Sequence, residues 1–312
     1  MANINTKIFD NVAVLCGGDS REREVSLRSG AAVCKALVDA GINAEVLDVK
    51  SLSEVGDNLR KYTSAFIAMH GDWGENGELQ AKLSSLGIPY TGSNPKASSD
   101  AMNKWKSREL FAKAGIKIPN GILYDESNLR LETLGTRDIV VKPESGGSTV
   151  GVSILRNFTP EDLREAVKFA RESYAGDVLL EEYIEGREIT AAVWENAGKI
   201  QALPLIEIRP KLGFYDYANK YTSGATEYIV PAEIPESVAA KIQNAAVKAH
   251  EVLGCNSYSR ADFRLRDDGE FFILEVNTAP GMTATSLVPK AAAATGVSMS
   301  EFVKHILEMS HV

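Results

Sequence analysis

Near the end of the chain, charged and amide side chains recur at two-residue spacing in two apolar runs, Ser259-Arg260-Ala261-Asp262 and Leu274-Glu275-Val276-Asn277. Residues two apart on a strand share a face, so Arg260 points with Asp262 and Glu275 with Asn277. Asp268-Gly269, between the runs, is a favoured two-residue hairpin turn. That turn sets Asp262 opposite Glu275 and Arg260 opposite Asn277. Phe263 would then face Leu274, and Leu265 would face Phe272, on an apolar reverse side. Facing carboxylates repel unless a cation lies between them. The oxygen-only set Asp262, Glu275 and Asn277 suits Mg²⁺, which commonly takes one or two carboxylates plus substrate phosphates. A solvated hairpin face with an Arg–Asp pair is the plainer alternative. The continuation Thr278-Ala279-Pro280-Gly281-Met282-Thr283 favours chemistry, because a Gly-bearing turn beside Arg260 can aim N–H groups at a developing oxyanion.

Lys142 precedes Glu144-Ser145-Gly146-Gly147-Ser148-Thr149-Val150-Gly151. Such a loop can fold over phosphates and offer backbone donors with little hindrance. It is not a Walker A loop, since no Gly-Lys-Ser/Thr opens a helix. A flexible hairpin turn explains the loop alone equally well. Glu181-Glu182-Tyr183-Ile184 ends an apolar run, where backbone groups could read an adenine edge while Glu188 accepts from ribose hydroxyls. Taken alone, these are acidic residues at a strand end. Lys104 by itself is as consistent with solvent exposure. At the front, Glu22 lies where Gly17-Gly18-Asp19-Ser20 runs into a helix and could receive a substrate ammonium. It could equally be a favourable charge near a helix N-terminus. His70, ending a buried run, is either a ligand contact or a satisfied interior histidine.

The elements that must position these residues follow from periodicity. Val12–Cys16, Ala44–Val49 and Ala65–Met69 read as buried parallel strands. Val25, Leu27, Ala32, Val33, Ala36 and Leu37 trace a helix between the first two, ending at Gly41. This β-α-β alternation predicts a doubly wound sheet with ligands at the strands' carboxyl ends. The breakers Thr91-Gly92-Ser93-Asn94-Pro95 mark a boundary. A helix from about Ser99 to Ala114 should follow, then strands at Ile139–Lys142, Val150–Leu155 and Val178–Ile184, with a helix over Pro160–Ser173. Longer strands, a Tyr-rich polar loop over Ile208–Glu227, a helix near Pro235–Leu253 and the Tyr258–Asn277 hairpin complete the order. The fold class is therefore α/β and α+β: an N-terminal doubly wound parallel-sheet domain (1–96), then two α+β lobes (97–183 and 184–312).

Composition sets bounds on function. A chain of 312 residues suits several packed lobes, and 44% hydrophobic with 24% charged residues is ordinary for a globular enzyme. A net charge of −8 argues against nucleic acid as a partner. The cysteines Cys16, Cys34 and Cys255 lack C-x-x-C spacing and suggest a reduced, cytoplasmic chain. No signal peptide is evident, and no apolar run is long enough to span a bilayer.

Together these segments resemble the D-alanine–D-alanine ligase family of the ATP-grasp superfamily, over almost the whole chain from Val12. The most specific motifs are Gly17 to Ser26, His70-Gly71, Phe214-Tyr215-Asp216-Tyr217 with Lys220-Tyr221, and Glu275 to Thr283. The resemblance makes the two later lobes ATP-grasp lobes. It implies ADP-forming ligation of two D-alanine molecules through an acyl phosphate, for peptidoglycan precursors. Lys104, Lys142, Glu181, Tyr183, Ile184 and Glu188 would hold ATP, with Lys220 at its terminal phosphate. Asp262, Glu275 and Asn277 would bind two Mg²⁺ ions, with Mn²⁺ able to substitute. Arg260 and the Gly281 N–H would stabilise the tetrahedral intermediate. Glu22 would take the first substrate's ammonium, and Ser286 the second's carboxylate. His70, Tyr215 and Leu287 would line the substrate site. Glu22, Ser148 and Tyr221 would form a triad tying a lid to the other lobes. Partners would be D-alanine, ATP and, as a homodimer, a second copy of the chain. Asn103, Thr149 and Glu182 depart from the commonest family pattern and bear on details of ATP contact. Competing readings are a D-lactate or D-serine acceptor, a nucleotide-binding regulatory module without turnover, and a dehydrogenase. The missing G-x-G-x-x-G spacing disfavours the last.

Overall fold

Val12–Gly17 (β1) is apolar almost throughout and wholly buried, because parallel strands lie on both sides of it. A computed structural model of the chain describes residues 6–196, 198–211 and 224–312. The helix α1 (Arg23–Asp39) carries the chain from β1 to β2 (Ala44–Val49), and β3 (Ser64–Ile67) pairs on the other side of β1. This is the expected doubly wound start. One correction applies: β2 is an edge strand, so Glu45, Val46 and Asp48 face solvent and it is not buried as predicted.

After α2 (Glu78–Leu86), the helix expected over 99–114 proves to be two, α3 (Pro95–Met102) and α4 (Lys104–Lys113). Asn103 separates them in extended conformation, and its side chain caps α4 by accepting from the Lys106 N–H at 2.7 Å. A four-stranded antiparallel sheet follows, of β4 (Gly121–Leu123), β5 (Ile139–Pro143), β6 (Ser153–Leu155) and β7 (Val178–Glu182), in order β4-β7-β5-β6. β6 and β7 are shorter than predicted. The helix α5 (Pro160–Ser173) has the predicted bounds: Thr159 and Asp162 form a capping box, and Leu163, Ala166, Val167 and Ala170 make its buried stripe.

The third sheet contains β8 (Arg187–Asn196), β9 (Lys199–Ala202), β10 (Ile206–Pro210), β11 (Thr226–Ile229), β12 (Tyr258–Leu265) and β13 (Phe271–Asn277). Its order is β11-β10-β8-β12-β13, with β9 on β8. The ends of the predicted 208–227 loop are thus strand, and its middle lies outside the described residues. The helix α6 (Glu236–Leu253) packs Ile242, Ala246 and Ala249 under this sheet. The last helices, α7 (Leu287–Ala293) and α8 (Met299–Glu308), return to the first sheet. Phe302, Val303, Ile306 and Leu307 of α8 share a core with Val12, Val14 and Phe66.

The β12–β13 hairpin corrects the sequence reading in its turn while keeping its ligand end. The turn holds three residues, Asp267-Asp268-Gly269, closed by the Arg266 N–H donating to the Glu270 carbonyl at 2.8 Å. Phe263 therefore faces Ile273 and Leu265 faces Phe271, one residue away from the predicted partners. A bulge beyond Phe263 restores the predicted register, so Asp262 pairs with Glu275 and Arg260 with Asn277.

Candidate active site

Two adjoining cavities lie between the sheets, of about 290 and 160 Å³, and Lys104, Gly146, Gly147 and Glu275 line both. The smaller is walled by Lys142, Glu181, Tyr183, Ile184, Glu188, Asp262, Arg264 and Leu274. The larger is lined by Glu22, His70, Glu75, Ser148, Arg260, Asn277, Gly281, Ser286 and Leu287, among others. The sequence-predicted residues thus fall into two connected groups. Tyr215, Lys220 and Tyr221 lie outside the described residues.

The break at Asn103 explains Lys104. Its N–H donates to the Glu144 carbonyl at 2.8 Å, and its ammonium donates to the Gly146 carbonyl and stands 3.6 Å from Glu275. The side chain is buried, not solvent-exposed. Burial pulls its pKa below the usual lysine range, against the raising effect of Glu275 and with the lowering effect of Lys142. Lys142 is buried too and pairs with Glu181, which also binds Arg108. The Glu181 carboxylate is therefore taken by two cations and serves the site by holding Lys142. Arg108 was missed, although its i+4 spacing from Lys104 on α4 was an available signal.

The Gly146–Gly151 loop has an unusual backbone. Gly146 has φ +116°, and a Cβ there would lie 2.6 Å from the Tyr174 ring at the end of α5. Ser148 and Thr149 take φ of +51° and +61°, costly for side-chain-bearing residues and worst for β-branched threonine. This bend lets the Ser148 hydroxyl donate to the Glu22 carboxylate, joining the loop to the start of α1. Two members of the expected triad are therefore in contact. Neighbouring Arg23 has another task, a paired hydrogen bond to Asp48 on β2 at 2.8 and 2.9 Å.

His70 is buried at the end of the segment after β3. Its Nδ1 is 3.1 Å from the Ala279 carbonyl, which can only accept, so Nδ1 carries the proton. Its Nε2 is 2.8 Å from the Ser29 hydroxyl, which also accepts from the Met282 N–H at 3.2 Å. Burial depresses this imidazole most strongly of any single cause, but Glu75, Glu22 and the Ala279 carbonyl together outweigh it and the pKa is raised. His70 thus ties α1 and the first sheet to the turn after β13. Ser29 and Glu75 were not singled out in the sequence, because only tertiary contact brings them to His70.

Arg260 and Asp262 do share a face and pair at 2.8 Å, while Asp262 also accepts from Thr190 on β8 at 2.5 Å. The Asn277 side-chain oxygen accepts from the Ala279 N–H at 2.9 Å and keeps a second lone pair. Among the described residues no three His, Cys, Asp or Glu side chains gather as a metal group. Asp262, Glu275 and Asn277 supply two carboxylates and an amide, a hard oxygen set that suits Mg²⁺ when phosphates complete the shell. Ser286 immediately precedes α7 without a side-chain cap on it; its hydroxyl accepts from the Thr283 N–H at 3.0 Å and stands beside Gly281.

Comparison with known proteins agrees with this arrangement. The family model for the D-ala D-ala ligase C-terminus matches residues 125–308. The chain is 44% identical over 307 residues to the D-alanine–D-alanine ligase of Anaeromyxobacter sp. (strain Fw109-5), covering 95% of this chain and 96% of that protein. It is 41% identical over 312 residues to that of Nitrosomonas europaea, covering 98% and 99%. Among solved structures, the D-alanine–D-alanine ligase from Bacillus anthracis complexed with ATP superposes with TM-score 0.83 at 31% identity, covering 96% and 97%. The VanG D-Ala:D-Ser ligase from Enterococcus faecalis gives 0.81 at 26%, covering 96% and 99%. No helix among the described residues is long and apolar enough to cross a membrane. On the family model, the extent of identity and the shared fold, this chain belongs to the D-alanine–D-alanine ligase family.

Proposed function

We propose that the chain joins two D-alanine molecules at the expense of ATP, with residues 1–96 as substrate-binding domain and 97–183 and 184–312 as the two nucleotide-holding lobes. The observation that supports this reading is the Ser148–Glu22 contact: the glycine-rich loop and a buried carboxylate meet in one cavity that Arg260 and Gly281 also line. A carboxylate resists amines because oxide is a poor leaving group. Attack of the first D-alanine's carboxylate oxygen on the γ-phosphorus of ATP breaks the bond to ADP and gives an acyl phosphate. The second D-alanine's amine attacks the acyl carbon, and the tetrahedral intermediate expels phosphate to leave the amide.

Glu22 holds the first ammonium, with His70 shaping the floor. Lys104 and Lys142 face the phosphates, Ile184 and Tyr183 flank the base, and Glu188 accepts from the ribose. Arg260 and the Gly281 N–H meet the oxyanion; one such donor is worth about 3 kcal/mol of transition-state stabilisation. Ser286 holds the acceptor carboxylate, and Leu287 lines the substrate site. Asp262, Glu275 and Asn277 would hold Mg²⁺, which offsets phosphate charge when bound. We assign Lys220 to the terminal phosphate, Tyr221 to the triad and Tyr215 to the substrate site, and expect a homodimer in the cytoplasm. ADP release and dipeptide formation, measured with D-alanine, L-alanine, D-serine and D-lactate, test the proposal. Ligation restricted to D-alanine is expected; equal rates with L-alanine, or faster use of D-serine or D-lactate, would overturn it.

A further inference from the structure

Arg264 lies two residues beyond Asp262 on β12 and lines the smaller cavity. Its guanidinium uses every side of its fork on one short segment, residues 183–188, which spans the connection from β7 to β8 and the start of β8. Nε donates to the Ile184 carbonyl at 3.1 Å and Nη2 to the Gly186 carbonyl at 2.7 Å. Nη1 stands 3.6 Å from the Glu188 carboxylate, and the guanidinium carbon is 5.8 Å from the centre of the Tyr183 ring. The same segment rests directly on β12, since a Cβ on Gly186 would lie 2.1 Å from the Leu265 carbonyl.

We infer that Arg264 is a positioning residue for the nucleotide: it holds the Ile184 backbone beside the base and the Glu188 carboxylate beside the ribose in one relative geometry. The inference rests on the smaller cavity being the nucleotide site. Two independent recognition elements, one backbone and one carboxylate, meet at a single rigid side chain. A planar guanidinium can satisfy two carbonyls and a carboxylate at once, whereas a lysine ammonium cannot reach all three from one point. Losing Arg264 should therefore loosen base and ribose recognition together. It should leave amino-acid binding alone, because none of its partners lines the larger cavity.

The test compares wild type with Arg264→Lys and Arg264→Met. ADP binding is measured by calorimetry, and KM is measured for ATP, 2′-deoxy-ATP, 3′-deoxy-ATP, ITP and D-alanine. Loss of one or two charge-assisted hydrogen bonds should raise the KM for ATP about ten- to a hundredfold in both variants. The KM for D-alanine should move less than about twofold. The preference for ATP over ITP and over the deoxy nucleotides should shrink toward unity. If wild type binds ADP while Arg264→Lys keeps its affinity and its preferences, the inference is overturned. If the variants lose ATP and D-alanine affinity equally, the role is merely structural and the inference is again overturned. Failure of wild type itself to bind ADP would overturn the reading of the cavity.

Discussion

Replacing Gly146 by alanine puts the reading of the phosphate loop under direct load. At φ +116° an L-residue costs about 1–3 kcal/mol, and the new Cβ would lie 2.6 Å from two carbons of the Tyr174 ring. Carbon contacts are comfortable near 3.5–4 Å, so something must move by roughly 1 Å. The half-buried ring is anchored where Tyr174 ends α5 with its N–H on the Ala170 carbonyl. The loop therefore yields, adding about 1–3 kcal/mol of overpacking. If about 2–4 kcal/mol of this falls on the placement of Ser148 and the loop N–H groups, kcat/KM drops about thirty- to a thousandfold. Gly176→Ala is the control: φ is +128° but nothing lies within 4 Å of its Cβ. It should lower the melting temperature slightly and leave turnover alone. Coupled ADP-release kinetics and thermal unfolding on both variants decide the matter. A Gly146→Ala enzyme within about threefold of wild type, or a Gly176→Ala enzyme equally impaired, would refute the argument.

Ser148→Ala removes the hydroxyl bound to Glu22 and should cost about 1.5–3 kcal/mol in kcat/KM with an unchanged fold, measured by kinetics and circular dichroism. Asp262→Asn keeps the shape and removes one charge; the Mg²⁺ concentration for half-maximal turnover should rise at least about tenfold, read from a Mg²⁺ titration. His250 is buried against Ser259, and burial lowers its pKa to about 4. Protonation therefore favours the unfolded chain: the stabilising contribution is whole above about pH 6.5 and is lost as pH falls toward 4. At pH 5 the loss is about 2 kcal/mol, so denaturant melts of His250→Gln should show that much less destabilisation between pH 7 and pH 5 than wild type.

Local pattern carried far along this chain. The α5 bounds follow from a Thr-x-x-Asp cap and a 3.6-residue stripe, both of which are properties of one segment. That Arg260 and Asp262 share a face follows from parity along one strand. What stayed hidden depends on partners far away in sequence. Asn103 can end one helix and cap the next because the Ser145 segment lies against it in a bridge, and neither residue advertises that contact. Lys104, Arg108 and Glu181 each look like surface charge until packing removes their water, and only then must they pair. His70 is ambiguous for the same reason, since its meaning is set by Ser29, Glu75 and the Ala279 carbonyl.

The hairpin shows why hydrophobic pattern alone could not choose the register. With a two-residue turn, Ala261, Phe263 and Leu265 would share the core face with Val276, Leu274 and Phe272. With the observed turn they share it with Val276, Ile273 and Phe271. Either set buries one aliphatic and one aromatic side chain beyond Val276, so the transfer free energies nearly cancel. The turn breaks the tie: Gly269 at φ +85° and Asp268 accepting from the Glu270 N–H at 2.9 Å favour the three-residue form. That choice alone would move Glu275 away from Asp262. The bulge at Leu274 cancels the shift, and it does more than cancel. Ile273 and Val276 both enter the core although they are three residues apart, which leaves Leu274 and Glu275 on the same side, both lining the smaller cavity. One irregularity thus gives the site an apolar wall suited to a nucleotide base next to a carboxylate suited to its phosphates and cation. A regular strand would have had to surrender one of them to the core.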